Sequence, residues 1–205
     1  MNTICHTYTG LVDPFNFVAD HVQTEDIAHH LAMIGRYGGA CPVFYSVAQH
    51  AVRVAHLVER ISGDPVTTLM ALHHDSAEAY IGDQRSPIKH ALHVVTDSGL
   101  VPFDSFEIQL LNTILRRYGL PSTTDPNQRE RWDLIEAADA TMLRVELRGL
   151  FDESQQPTDL EKTIPPLYRP EITRPECASW VMAKSLFLGH HNQLMNAISK
   201  MREAA

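Results

Sequence analysis

Residues 73–83, His-His-Asp-Ser-Ala-Glu-Ala-Tyr-Ile-Gly-Asp, concentrate two histidines, two aspartates and a glutamate among apolar neighbours. Adjacent His74 and Asp75 can both reach one divalent ion. Read as a helix, the stretch puts Glu78 one turn after His74 on the same face. A carboxylate there can hold or deprotonate a water. The competing reading is an amphipathic helix with a polar face. His74 and Asp75 are at most half a ligand set, so the metal reading requires further ligands from other elements.

The flanking sequence predicts those elements as helices. Thr24-Glu25-Asp26 opens one, with Thr24 as cap and Ile27, Leu31 and Ile34 as its apolar stripe. Arg36-Tyr37-Gly38-Gly39 ends it. Arg36 there either bonds the last carbonyls or projects into a cleft and grips a phosphate in bidentate fashion. Tyr37 either stacks on a base or packs. Ser46-Val47-Ala48-Gln49 is a capping box that starts a helix running to about Ile61. His50 borders its inner face of Val47, Ala51, Val54 and Val58, and reads as a core histidine or a ligand.

Asp64-Pro65 starts the helix that carries residues 73–83, ended by Gly82 and Asp83. Ser86-Pro87 starts the next, with Lys89 in its first turn, a surface lysine or an anion contact. Residues 94–101 read as a loop. Phe103 to Tyr118 reads as an amphipathic helix. Asp125-Pro126 caps a long helix to about Leu150 with Trp132, Ile135, Ala138, Met142 and Val145 on its buried side. Asp139 sits inside that apolar face, where a carboxylate requires a partner, a metal or a proton. It is therefore a structural aspartate or a ligand. Residues 151–174, with Pro157, Pro165, Pro166 and Pro170, read as a loop that could act as a lid or an oligomer contact. Arg174-Pro175-Glu176 opens a closing helix, with His190-His191 placed on the surface. The expected fold class is all-α, a bundle of about seven helices without strands.

The 205 residues fit one domain, 1–205, with a core over about 20–150 and a C-terminal loop and helix over 151–205. The net charge of −8, with 17 Lys and Arg and no basic stripe, argues against nucleic acid as partner. A small anion needs only a few placed cations. The three cysteines, Cys5, Cys41 and Cys177, are far apart, which predicts reduced thiols and a cytoplasmic setting. The N-terminal residues carry no signal-peptide pattern, and no apolar run reaches membrane-spanning length.

Collected, His50, His74, Asp75 and Asp139 come from three predicted helices and suit a divalent ion such as Co, Zn, Mn or Fe. In this respect the sequence resembles the HD-domain phosphohydrolases, whose pattern is a histidine, a His-Asp dyad and a distant aspartate on a helical bundle. The resemblance covers roughly residues 20 to 150. It is closer to the 5'-deoxynucleotidase branch through Arg36, residues 46–50, residues 74–83, Ser86-Pro87-Ile88-Lys89 and Ala138-Asp139-Ala140. Residues 25–29, 36–39 and 44–48 look most like the dATP triphosphohydrolases of phages that replace adenine with 2-aminoadenine. Gln49, Tyr37 and Gly39 depart from the residues frequent in that branch.

The resemblance implies His50, His74, Asp75 and Asp139 as ligands of a divalent metal (Co, Zn, Mn, Fe or Mg). It implies Glu78 and Asp83 as catalytic acids, and Arg36, Tyr37 and Lys89 as substrate-binding residues. The implied reaction is hydrolysis of dATP to deoxyadenosine and triphosphate, which would deplete the dATP pool. The alternative is a 5'-deoxynucleotidase acting on dNMPs. The implied partner is a small-molecule nucleotide, with no nucleic acid or membrane, in a homo-oligomer (dimer or hexamer) in the cytoplasm, or the host cytoplasm for a phage-encoded chain. Two readings from other classes are a nucleotide-binding regulator with a structural metal and a cyclic-dinucleotide hydrolase. Glu78, Asp83, Arg36 and Lys89 together argue against the first, and the lack of the extra histidines of bimetal relatives weakens the second.

Overall fold

The computed structural model describes residues 3–156 and 176–204. Among them lie eight α-helices and two small antiparallel two-stranded sheets. An N-terminal arm carries β1 (Cys5–His6) and β2 (Leu11–Val12). The helices are α1 (Thr24–Met33), α2 (Val47–Ser62), α3 (Pro65–Leu72), α4 (Glu78–Ile81), α5 (Ser86–Lys89), α6 (Phe103–Arg117), α7 (Arg129–Leu150) and α8 (Trp180–Glu203). Between α5 and α6 stand β3 (His93–Thr96) and β4 (Gly99–Pro102).

Helix α2 is the central element and packs on α1, α3, α7 and α8. Its start is fixed by Ser46, whose hydroxyl accepts from the Gln49 amide at 3.2 Å. Val47, Ala48, Ala51, Val54, Ala55 and Val58 are all wholly buried, a stripe broad enough to face several neighbours. Gly63 ends α2 with a left-handed φ of 60°, where a side chain would be strained. Asp64 immediately caps α3 by accepting from the Val66 and Thr67 amides, and Pro65 supplies the first helical residue. The apolar faces of α6 and α7 fall as their periodicity predicts, with Phe106, Leu110, Leu111, Ile114, Trp132, Ile135, Ala138, Met142 and Val145 buried.

Several expectations are corrected. Gln23 rather than Thr24 occupies the N-cap position of α1, without a side-chain capping bond, and the Thr24 hydroxyl instead meets the Tyr118 hydroxyl at 2.9 Å. Helix α1 ends at Met33, so Arg36 is not at its terminus. Gly35 pairs with Ser46 and the Arg36 amide donates to the Tyr45 carbonyl at 2.9 Å, which ties the 36–39 turn to the start of α2. Residues 94–101 are mostly strand, with Val94 opposite Val101, turned at Gly99 with φ 110°. Asp125 caps a short 3-10 turn, Pro126–Gln128, from which α7 follows. Helix α8 starts at Trp180, capped by Ser179, and not at Glu176, while Arg174 and Pro175 lie outside the described residues. The proposed lid or contact role of the segment with Pro157, Pro165, Pro166 and Pro170 lies outside the described residues.

The helix expected through residues 73–83 does not form. α3 stops at Leu72, residues 73–77 are turns, and α4 begins at Glu78. Side chains compete with the helical ladder here. His74 Nδ1 takes the Ala71 carbonyl at 2.7 Å, and His73 Nδ1 takes the Ser76 hydroxyl at 2.7 Å. His73 is a core residue, wholly buried, its Nε2 2.9 Å from Nδ1 of His191. His190 and His191 are likewise buried, 7% and 6% exposed, rather than on the surface. Among the described residues no helix is long and apolar enough to cross a membrane.

Phe187 of α8 is wholly buried with its ring edge-on to His73. Phe187→Ala should lower unfolding stability by about 3–5 kcal/mol, read by urea titration. A loss below about 1 kcal/mol would show that α8 does not anchor the core.

Candidate metal centre

The fold brings His50, His74, Asp75 and Asp139 together. His50 lies in the first turn of α2 and is wholly buried. His74 and Asp75 project from the turn after α3, and Asp139 comes from the middle of α7. His50 Nε2 is 2.9 Å from an Asp139 carboxylate oxygen and 3.8 Å from Asp75 Oδ2. His74 Nε2 is 3.1 Å from Asp75 Oδ2 and 3.9 Å from Asp139 Oδ1. Asp139 was expected inside the apolar face, yet its side chain is 42% exposed and forms the open edge of the cluster.

His50, His74 and Asp139 each offer an atom within 4.8 Å of the others and could hold a metal ion. The hydrogen bonding of the two imidazoles fits that use. Nδ1 of His50 faces a Glu146 carboxylate oxygen at 2.7 Å, and Nδ1 of His74 faces the Ala71 carbonyl at 2.7 Å. A carboxylate and a carbonyl only accept, so each Nδ1 is the donor. In the neutral ring each Nε2 then carries a lone pair, and both Nε2 atoms are buried without an aligned hydrogen-bond partner. Two buried lone pairs directed at two carboxylates are what a divalent N/O site requires. Burial and Arg36 push the His50 imidazolium down, but Glu146 and Asp139 outweigh them and raise it to about 9. Burial favours neutral Asp75, but His74, His50 and Arg36 hold its carboxyl well below the usual range.

Glu146, two turns after Asp139 on α7, was not singled out from the sequence. It has no exposed surface. It accepts from the Tyr45 hydroxyl at 2.8 Å and the Tyr37 hydroxyl at 2.9 Å, besides His50. Arg36 Nε lies 3.3 Å from its second oxygen, and Arg36 Nη1 lies 3.6 Å from Asp75 Oδ2. Burial alone would raise the Glu146 carboxyl, but His50, Arg36 and Tyr45 hold it down at about 2. The signal available in the sequence was the one used for Asp139: a carboxylate inside the stripe Met142, Val145, Leu150.

The other expected site residues are placed as follows. Tyr37 has a left-handed φ of 61°, unusual for a residue with a side chain, and its ring meets Phe151 edge-on at 5.1 Å. Its hydroxyl is thus committed to Glu146. Gly38, also left-handed, leaves room for the side chain of Arg85, a cation that sequence reasoning passed over. Glu78 is 6% exposed and one of its oxygens is buried without a partner. Burial first, then Asp75 and Asp83, push its carboxyl well up. Burial, reinforced by Asp75, also raises Asp83. Lys89 forms an ion pair with Glu107 of α6, another residue the sequence did not mark.

Glu146→Gln keeps the shape and an acceptor but removes the charge behind His50. It should weaken Co(II) or Zn(II) binding about 10-fold or more, by calorimetric titration, with the far-ultraviolet dichroism unchanged. Unchanged affinity would contradict the assignment of Glu146 as the group that orients His50.

No family model matches the chain. Two relatives align with it. An uncharacterized protein of Rhodobacter capsulatus, RCAP_rcc00048, is 31% identical over 186 residues, 87% of this chain and 88% of that protein. The uncharacterized protein YfdR of Escherichia coli K12 is 34% identical over 140 residues, 67% of each chain. The chain therefore belongs to the family that includes RCAP_rcc00048 and YfdR.

Proposed function

We propose that the chain is an HD-type phosphohydrolase that binds one divalent ion through His50, His74, Asp75 and Asp139 and hydrolyses deoxynucleoside triphosphates, dATP foremost, to deoxynucleoside and triphosphate. The observation that carries this reading is the pair of buried Nε2 lone pairs facing two carboxylates, with unpartnered Glu78 close to Asp75. A regulator with a structural metal would have no use for a glutamate buried with one oxygen unpartnered.

The bound ion supplies Lewis acidity towards a phosphate oxygen. The chain supplies the remainder. Glu78 takes a proton from the attacking water, and its raised pKa makes the carboxylate a stronger base near neutrality. The water oxygen forms a bond to the α-phosphorus, and the bond from phosphorus to the 5' oxygen breaks. Asp83, also raised, returns a proton to that leaving oxygen. Arg36, 12% exposed and anchored on Glu146, directs its outer nitrogens at growing phosphate charge. Lys89 contributes by exchanging Glu107 for phosphate.

The 5'-deoxynucleotidase reading is favoured by one observation. Both Arg36 and Lys89 are already ion-paired, which suits a substrate with fewer negative charges. Incubation with each dNTP and dNMP in the presence of Co, Mn or Mg, with chromatographic identification of products, separates the two. Deoxyadenosine plus triphosphate is the expected result. Phosphate released only from dNMPs would favour the alternative, and no turnover with any metal would contradict both. Glu78→Gln should lower kcat by about 10²–10⁴-fold with metal content retained. A variant with near-normal kcat would remove Glu78 from the chemistry.

A further inference from the structure

A second group of metal-competent side chains lies on the outer face of the α2–α8 contact. His56 and Glu59 are one turn apart on α2, so they share a face, and His190 of α8 faces them. One ligand atom from each lies within 4.8 Å of the others. The His56 and His190 rings are 4.7 Å apart, centre to centre, and His190 Nε2 is 3.7 Å from Glu59 Oε2, too far for a hydrogen bond. His190 is 7% exposed, and its Nδ1 is buried without a hydrogen-bond partner. Burial, then His56, lowers the His190 imidazole. Glu59 opposes this only in part. Two imidazoles crowded together, next to a carboxylate that bonds neither, are poorly satisfied as they stand.

We propose that His56, Glu59 and His190 bind a second divalent ion of the zinc class, separate from the His50 centre, which staples α8 to α2. Two imidazoles and one carboxylate suit Zn, Co or Ni and are a poor match for Mg or Ca, which take oxygen ligands. The 3.7 Å between His190 Nε2 and Glu59 Oε2 is a separation that two ligands at about 2.0–2.2 Å from one ion can have. Exposed His56 and half-exposed Glu59 can adjust to an ion by rotamer change, while His190 is fixed by packing. The staple matters for the core because His191, next to His190, meets buried His73 at 2.9 Å. An ion on the outer face thus holds the helix whose inner face closes over His73, the neighbour of His74.

The full-length metal-free protein is titrated with Co(II), and bound equivalents are counted after gel filtration by elemental analysis. Wild type, His56→Ala, Asp139→Ala and the double variant are compared, with circular dichroism as the folding control. His56 is exposed and outside the first centre, so its substitution leaves the fold intact. The expected counts are two, one, one and none. In the Asp139→Ala background, Co(II) at 100-fold excess over its dissociation constant should raise Tm by about 5 °C or more, and His56→Ala should abolish that rise. If His56→Ala binds as many equivalents as wild type, or if Asp139→Ala shows no Co(II)-dependent rise in Tm, the proposal is overturned. Loss of an equivalent in His56→Ala but none in Asp139→Ala would uphold this second site and contradict the ligand assignment of the first.

Discussion

Glu146 has no exposed surface, and a carboxylate in that position stays ionised only if its partners replace water. Two tyrosine hydroxyls, one imidazole and one guanidinium do so, and each belongs to a different part of the candidate site. The consequence runs outwards. Because Glu146 takes the Nδ1 proton of His50, the Nε2 lone pair of His50 points at Asp75 and Asp139. Because it takes the Tyr37 hydroxyl, the 36–39 turn is held in a left-handed conformation that a tyrosine would otherwise avoid. Because it pairs with Arg36 Nε, the rest of that guanidinium is aimed along Asp75. One buried charge therefore orients the His50 imidazole and the Arg36 guanidinium together.

The imidazoles are held by two different kinds of acceptor. His50 depends on a charged side chain from α7, which makes it sensitive to the packing of α2 against α7. His74 depends on the backbone carbonyl of Ala71, one turn behind it, which makes it a local feature of the way α3 ends. That same bond helps to stop α3. The chain thus leaves a helix in order to present His74 and Asp75, and α4 restarts at Glu78 with its carboxylate facing inwards.

Much of this was legible in the sequence, for identifiable reasons. The stripes of α2, α6 and α7 follow the 3.6-residue period because apolar burial decides their orientation. His50 and Asp139 stood out because each borders or interrupts such a stripe, and His74 and Asp75 because residues 73–83 crowd histidines and carboxylates together. Other features depend on contacts between residues distant in sequence. The end of α3 is set by side-chain bonds that compete with the ladder, and no residue type announces them. Glu146 reads as an ordinary helix glutamate until Tyr37, Tyr45 and His50 arrive from a hundred residues away. His190 and His191 read as surface residues because their burial comes from α2 and α3, not from α8 itself. The hairpin at 93–102 is too short and too exposed for its alternation to register, with Val95 and Leu100 facing out.

The proposed chemistry depends on an ion between the Nε2 atoms of His50 and His74 and the carboxylates of Asp75 and Asp139. X-ray absorption spectroscopy on the Zn(II)-loaded His56→Ala variant, which isolates this centre, tests it most directly. The expected result is two imidazole nitrogens at about 2.0–2.1 Å with carboxylate oxygens completing the shell, and loss of one imidazole in His74→Ala. A shell of oxygens alone, or an imidazole count unchanged in His74→Ala, would contradict it.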